Sequence, residues 1–429
     1  MRYFTVFLLV SGLFLRIGYC QEDYSFDLSD FKKKTFQFGG YLESRPILSI
    51  LDQESRFYIL KYYDRSQTKR SIQYNFKALL DLSYEKGVFR GKMRLNSDLS
   101  YMDSDWDYDL SLYEGFFSLK PSLHFQMDFG KKRLKWGKGY AWNPVAFIDN
   151  PKNPFDPDLA LEGFTVISAD YIKSFPGKLK TLTASLVLLP ISNGVNESLG
   201  KPNTLNYGGK LYFLLFDTDL DFMFLAGPGV SSQYGIDFSR NITSNVEIHG
   251  EWAYGTRYSR RVVDEQGISK QEKGASQSYL LGIRYLTKTN TTFFLEYYRN
   301  GRGYTQEEME AYYQSIDRAY DFFLGTGLEN ELRLASSLTE FRTFTPGKNY
   351  LYLRILQKEP FNIVYFNPSL ISICNLKDGS LSLVPELLYA PITDLELRAR
   401  AVFLVGKKAT EFKEKQNDLR LELRIRYYF

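Results

Sequence analysis

The side chains that could do chemistry in this chain are two histidines and a large set of charges. His124 lies between Leu123 and Phe125, and His249 between Ile248 and Gly250. Alternation of period two describes a strand, and it places both imidazoles on the polar face, opposite their apolar neighbours. Asp128 follows His124 by four residues, which in a strand is about 13 Å, too far for its carboxylate to orient the ring. No His, Cys, Asp or Glu set has metal-ligand spacing, and no phosphate loop or nucleophile elbow occurs. This pattern argues against an enzyme and implies no cofactor and no metal.

What remains is fixed charge. Lys and Arg number 54 and Asp and Glu 50, a formal net charge of +4. That balance gives no reason to expect nucleic acid as a partner. Many of these charges sit on one parity of alternating segments. Arg398, Arg400, Arg420, Arg424 and Arg426 form one group, extended by Lys77, Arg90, Lys92 and Arg94. Asp219, Asp221, Asp237, Glu247 and Glu251 form a second. If the segments close into a barrel, the groups make a basic and an acidic wall across water, an arrangement that sets ion preference in selective pores. Glu396 and Glu422 lie among the arginines and could neutralise part of the basic wall, so a merely solvated lining is the other reading.

The elements that must position these charges are strands. At the end of the chain Leu421, Leu423, Ile425, Tyr427 and Phe429 share one parity, and Arg420, Glu422, Arg424 and Arg426 the other. Similar alternation runs through residues 36–42, 72–84 and 89–101. Further strands are predicted near 110–120, 123–130, 163–173, 180–190, 205–215, 219–226, 232–239 and 245–255. The rest fall near 276–287, 291–299, 348–357, 362–376, 379–390, 393–405 and 419–429. The total is about 18, within a range of about 16 to 18, and an even count puts both termini at one rim. Connections alternate between short turns and long loops, the long ones at 45–69, 131–162, 191–204, 256–275, 300–346 and 406–418.

Apart from the amino-terminus, no stretch supplies the ~20 apolar residues of a membrane helix, and mean hydropathy is −0.31. Aromatic residues make up 17%, as two membrane-interface girdles would require. The first residues, with Arg2, an apolar run from Val6 to Leu15, and small Gly18 and Cys20, read as a signal peptide over 1–20. Lipidation of Cys20 is the alternative, disfavoured by bulky Tyr19. Residues 21–35 are predicted to form a periplasmic arm, and 36–429 the barrel.

The terminal Phe429, with Tyr427 two positions earlier, resembles the closing strand of Gram-negative outer-membrane β-barrels. That resemblance implies an all-β, transmembrane antiparallel barrel with short periplasmic turns, lipid around it, and assembly by the barrel-insertion machinery, Tyr427 and Phe429 being the signal. Outer-membrane phospholipases need their Ser/His pair on the lipid side and omptin-type proteases need paired Asp and His at the external rim, and neither pattern is present. The run before the first strand is too short for a receptor plug.

Two segments break the alternation. Thr305-Gln306-Glu307-Glu308 is a capping box, and Met309, Tyr312, Tyr313, Ile316, Ala319, Tyr320 and Phe323 then recur at helical spacing, predicting a helix over 306–323. It either reaches into the mouth or packs on neighbouring loops. The third long loop, 131–162, holds Trp136, Tyr140, Trp142, Asn143, Pro144 and Asp149. Its prolines and glycines exclude a paired central strand. It is similar to a Trp-Gly-x-Gly-x-x-x-Asn-Pro block of uncharacterised porin-superfamily barrels, close in style to alginate-export and capsule-assembly barrels. The resemblance implies a constriction loop and a hydrophilic solute or polysaccharide as partner; a loop packed on the rim is the alternative. The expected function is a porin-like channel for small or oligomeric, anionic, hydrophilic solutes, or a non-conducting barrel that anchors a surface polysaccharide. The oligomeric state is not readable.

Overall fold

The computed structural model of the protein describes residues 35–65, 67–264 and 267–429. The expected signal peptide and nearly all of the 21–35 arm lie outside the described residues, Cys20 among them. From Phe36 to Phe429 the chain forms one closed sheet of 18 strands.

The strands run in chain order, each antiparallel to the next. The first six are β1 (Phe36–Leu51), β2 (Arg70–Lys86), β3 (Phe89–Met102), β4 (Asp105–Ser122), β5 (Phe125–Lys132) and β6 (Phe164–Ser174). The next six are β7 (Leu179–Ile191), β8 (Thr204–Leu215), β9 (Thr218–Ala226), β10 (Gln233–Asn241), β11 (Val246–Val263) and β12 (Ser269–Leu286). The last are β13 (Thr291–Arg299), β14 (Asn349–Gln357), β15 (Phe366–Asn375), β16 (Leu381–Ile392), β17 (Leu395–Val405) and β18 (Asn417–Tyr428). β1 pairs with β18 and closes the ring. The ladder lapses at Arg45 and Pro46, where the proline has no N–H to donate.

Closure is sealed at the carboxy-terminus. The Phe429 nitrogen donates to the Gly40 carbonyl (3.1 Å), and the Gly40 nitrogen donates to the Phe429 carbonyl (3.0 Å). The Phe429 ring lies 5.5 Å from that of Phe38. A Cβ on Gly40 would stand 2.1 Å from the Leu79 carbonyl oxygen and 2.9 Å from the Phe429 ring, so only glycine fits this crossing.

Alternation sorts the two faces. On β18 Leu421, Leu423, Ile425 and Tyr427 are exposed while Glu422 and Arg424 between them are buried. On β4 Trp106, Tyr108 and Leu110 are each about 60% exposed. A continuous apolar band of this kind around the whole sheet far exceeds the few hundred Å² that a soluble monomer leaves to water. Lipid, conversely, tolerates a sheet only when no edge is left open.

The even-numbered strands lead into short turns at one rim and the odd-numbered ones mainly into longer connections at the other. Three expectations change, two at the long-loop rim and one at the short-turn rim. β1 runs on to Leu51 and is followed by helix α1 (Arg56–Tyr62), so 45–69 is not simply loop. The expected loop 256–275 is instead a hairpin, since β11 and β12 stay paired from Tyr258↔Gly274 to Val263↔Ser269. Cross-strand charge supports it: Arg260 pairs with Glu272 in register. Finally, the β15 strand starts at Phe366, not near 362, after a 3₁₀ turn at Pro360–Asn362.

The capping box forms as expected. The Glu308 nitrogen donates to Thr305 Oγ1 (3.2 Å) and the Thr305 nitrogen to Glu308 Oε2 (2.7 Å), opening helix α2 (Gln306–Thr326). A second loop helix, α3 (Asn330–Ser337), follows. Tyr312, Tyr313 and Ile316 of α2 pack on Leu332 and Ala335 of α3, Leu60 of α1 and Val263 of the hairpin. The helix therefore packs on neighbouring loops.

Candidate functional site: the inward loop and the charged walls

Between β5 and β6 the chain leaves the wall and enters the barrel. Trp136, Val145, Phe147 and Ile148 pack against inward residues of β6, β7, β9 and β11, among them Val166, Leu189, Leu225 and Ala253. Ala141 and Trp142 pack with Leu280, Tyr350, Tyr352, Ile371 and Ile373 from β12, β14 and β15. Trp142 stacks on Tyr298 at 5.0 Å, and its Nε1 donates to Thr345 Oγ1 (3.2 Å). Asparagine and proline residues hold the remaining irregular turns, with half-buried Pro144 between them.

Two carboxylates of the wall receive the loop's backbone. Glu251 Oε1 accepts from the nitrogens of Lys138 and Gly139, 2.6 Å each, and from Asn143 Nδ2 at 3.1 Å. Its Oε2 accepts from the Val145 nitrogen (3.3 Å). Glu296 accepts from the nitrogens of Tyr140 (2.5 Å) and Ala141 (2.9 Å), and meets His249 Nε2 at 2.9 Å. Both are buried, so these charge-assisted bonds replace lost hydration. Gly137 makes the approach possible: at φ +92°, a Cβ there would lie 2.7 Å from Asn143 and 2.8 Å from Glu251.

Asp221 on the same wall takes Lys138 Nζ at 2.9 Å and Lys210 Nζ at 3.6 Å. Asp237 stands opposite it in register, and Asp219 binds the Tyr212 hydroxyl. Glu247 pairs with Arg284 (2.9 Å) and accepts from the Tyr140 hydroxyl (3.3 Å). The acidic wall therefore acts as the loop's dock.

The other end of the loop reaches the seam. Asp156 lies 2.8 Å from Arg424, 3.3 Å from Arg400 and 3.6 Å from Arg398. Burial alone would raise its carboxyl, but these guanidinium groups hold it well below the usual range. Glu386 pairs with Arg398 and Arg400, and Glu422 with Arg420 and Arg424. Glu43 takes Arg426 at 2.7 Å, and Glu396 lies 3.4 Å from Arg398. Five arginines thus meet five carboxylates, so the neutralisation expected from Glu396 and Glu422 is extended by Asp156, Glu386 and Glu43, and the wall is a charge-balanced seam. Lys77, Lys92 and Arg94 are likewise paired, with Asp98, Glu114 and Asp81. Arg90 is exposed near the short-turn rim.

Within the loop Asp149 contacts Arg133 Nε at 3.0 Å; burial outweighs that cation and raises the carboxyl. Lys152 Nζ donates to the Gly139 carbonyl (2.6 Å), and burial lowers its ammonium. In the β17–β18 loop, Glu411 accepts from the Tyr350 hydroxyl (2.6 Å) and Asn375 Nδ2 (2.8 Å). Tyr350 in turn packs on Trp142 at 5.8 Å. Burial pushes Glu411 up to about 7.

No family model matches the chain, and no curated protein matches it by sequence. Solved structures match its fold. OccK7 (OpdD) of Pseudomonas aeruginosa aligns with a TM-score of 0.50 and 12% identity, over 92% of this chain and 98% of that one. Wzi of Escherichia coli, an outer-membrane protein of group 1 capsule assembly described as a carbohydrate-binding β-barrel, aligns at 0.51 and 10% identity, over 92% of this chain and 84% of that one. The fold is that of a porin-type outer-membrane barrel.

In this porin-type barrel the inward loop covers one side of the inner wall. Inward residues of β11, β13, β14 and β18, such as Glu251, Glu296, Tyr352 and Arg424, are buried. On β4, the inward-parity residues Asp105, Asp107 and Asp109 are exposed. Sequence reasoning missed these three, although their alternation with Trp106, Tyr108 and Leu110 was available. It also missed Glu43, Glu296 and Glu386, legible only as one parity of their strands. Asp156 carried no signal at all. His124 departs from expectation: it sits in the β4–β5 turn, exposed, its Nδ1 2.9 Å from the Ile172 carbonyl, because the strand ends at Ser122.

Proposed function

We propose that this protein is an outer-membrane channel that passes small hydrophilic solutes through an aqueous lumen narrowed by residues 133–163. The observation that carries the reading is the docking of that loop on buried carboxylates of one wall and, through Asp156, on the arginines of the other. A loop anchored at both ends is a fixed constriction, and the pore-lining role falls to the charges it leaves accessible. The exposed apolar exterior supports lipid as the surrounding medium. The leader over 1–20 supplies export, Tyr427 and Phe429 the assembly signal for the insertion machinery, and the short turns face the periplasm.

Because the seam arginines are paired one for one with carboxylates, the anion preference expected of them is weak. Salt should erase it, the Debye length falling from about 10 Å at 0.1 M to about 3 Å at 1 M.

A second reading, a non-conducting barrel that holds a surface polysaccharide, is favoured by the apolar packing of the loop, which fills part of the interior. Single-channel recording in a planar bilayer separates the two. Steady conductance supports the channel; a silent, correctly folded barrel supports the anchor. Recovery of the mature chain in the soluble periplasm, and not with the outer membrane, would overturn both.

A further inference from the structure

At the short-turn rim the turns are apolar at their apices. Five of the eight carry an exposed aliphatic or aromatic side chain, Val88, Leu123, Phe216, Ile242 and Phe361, and exposed Ile392 ends β16 at the edge of a sixth. Leu123 is 84% and Phe361 88% exposed, among the most solvent-accessible large hydrophobics of the described residues. At the opposite rim the β3–β4 turn is polar at Asp103–Ser104, while the β15–β16 and β11–β12 connections carry exposed Leu376 and Ile268. The apolar residues of the short turns run against turn chemistry, which favours Gly, Asn, Asp and Ser.

The backbone adds weight. Phe216 (φ 51°), Phe361 (φ 60°) and Tyr365 (φ 59°) all occupy the left-handed region. Bulky residues are genuine outliers there, and Gly or Asn would relieve the cost. An aromatic held at such a position, pointing outward, contributes nothing to the fold's interior. Its contribution must come from what surrounds the rim.

These tips continue the apolar band of the barrel wall. Phe89 and Phe117, both exposed, pack at 5.7 Å just above Val88 and Leu123. Lys173 Nζ lies 5.3 Å from the Phe175 ring and Lys178 Nζ 5.2 Å from that of Phe216. Aromatic rings beside lysine ammonium groups suit the zone between acyl chains and head groups, where stems bury and charges stay wet. Turn backbone cannot enter hydrocarbon with its polar groups unpaired, so the depth is limited to that zone.

Resting on the membrane reading above, we infer that the short-turn rim is a lipid-contacting surface, with Leu123, Phe216 and Phe361 immersed in the head-group layer and the turns not standing free in water. The partner is the phospholipid surface itself, by continuity with the lipid-facing band.

Spin labels test this. Single cysteines replace Leu123, Phe361, Leu186 in the middle of the outward band (65% exposed), or Asp103 at the opposite rim, in a cysteine-free full chain inserted into phosphatidylcholine vesicles. Heat-modifiable gel migration verifies folding of each labelled protein. Accessibility to oxygen and to an aqueous nickel chelate then reports depth. The expected result is that labels at 123 and 361 show several-fold lower nickel accessibility than at 103, at a depth shallower than 186. Labels at 123 and 361 as open to nickel as 103, with 186 shielded, would overturn the inference and leave the membrane reading standing. A label at 186 open to nickel would overturn both.

Discussion

The Glu251 carboxylate, on the barrel wall, lies 2.6 Å from the backbone nitrogen of Gly139 in the inward loop. The same oxygen takes the Lys138 nitrogen and Asn143 Nδ2. One buried side chain therefore organises a turn of the loop that has no regular structure of its own.

Replacing Glu251 with Gln removes the charge and turns a donor toward the loop's N–H groups. Each charge-assisted bond contributes about 1.5–3 kcal/mol, so the variant should free the Lys138–Val145 turn while the 18-strand ladder keeps the barrel heat-modifiable. Single-channel conductance is expected to rise. Deleting Trp136 to Pro154 should raise it further. Conductance equal to wild type in the deletion would place the loop outside the permeation path.

Asp156→Asn releases the loop's other end and leaves Arg424, Arg400 and Arg398 short of one carboxylate. Breaking a buried ion pair from one side costs about 3–5 kcal/mol. The expected readouts are a lower unfolding temperature in detergent and greater conductance noise. Because the folded carboxyl titrates below its ordinary value of 3.8, its stabilisation is complete above that value and is lost only as pH falls below it. Between pH 5 and 8 this anchor should not respond to pH.

Glu411 has the opposite sign. Burial raises its carboxyl from 4.5 to about 7, so the folded state prefers the protonated form. Its stabilisation is full below about pH 4.5 and is lost as pH rises through about 7, a difference of about 3 kcal/mol. Thermal stability should fall from pH 5 to pH 8, and Glu411→Gln should flatten that slope. An unchanged slope would assign the titration to another group.

Thr305→Ala removes the cap of α2, which costs about 1 kcal/mol. The helix packs on α1, α3 and Val263 at the hairpin tip, so limited proteolysis of 300–346 should quicken with conductance unaltered. A change in conductance would show that the loop helices couple to the constriction.

Much of the architecture was legible in residue alternation, because a strand's side-chain period is a local property. The parities of β18, β2 and β3, the short turns, the Thr305–Glu308 box and the irregular 131–162 loop all read directly from the chain. The extension of β11 and β12 was not: polar residues such as Arg260 and Glu272 look like loop until their cross-strand pairing is known. Pairing across the lumen was the deeper gap. Parity shows that Arg398, Arg400 and Arg424 face inward, and the sequence alone determined that they share a wall. Only the tertiary structure decided that Asp156, 268 residues before Arg424, comes to rest among them, or that Glu251 and Glu296 hold the loop's backbone. Such contacts are created by ring closure and by a loop whose path no repeating pattern encodes, and they convert two walls of opposite charge into two ends of one clamp.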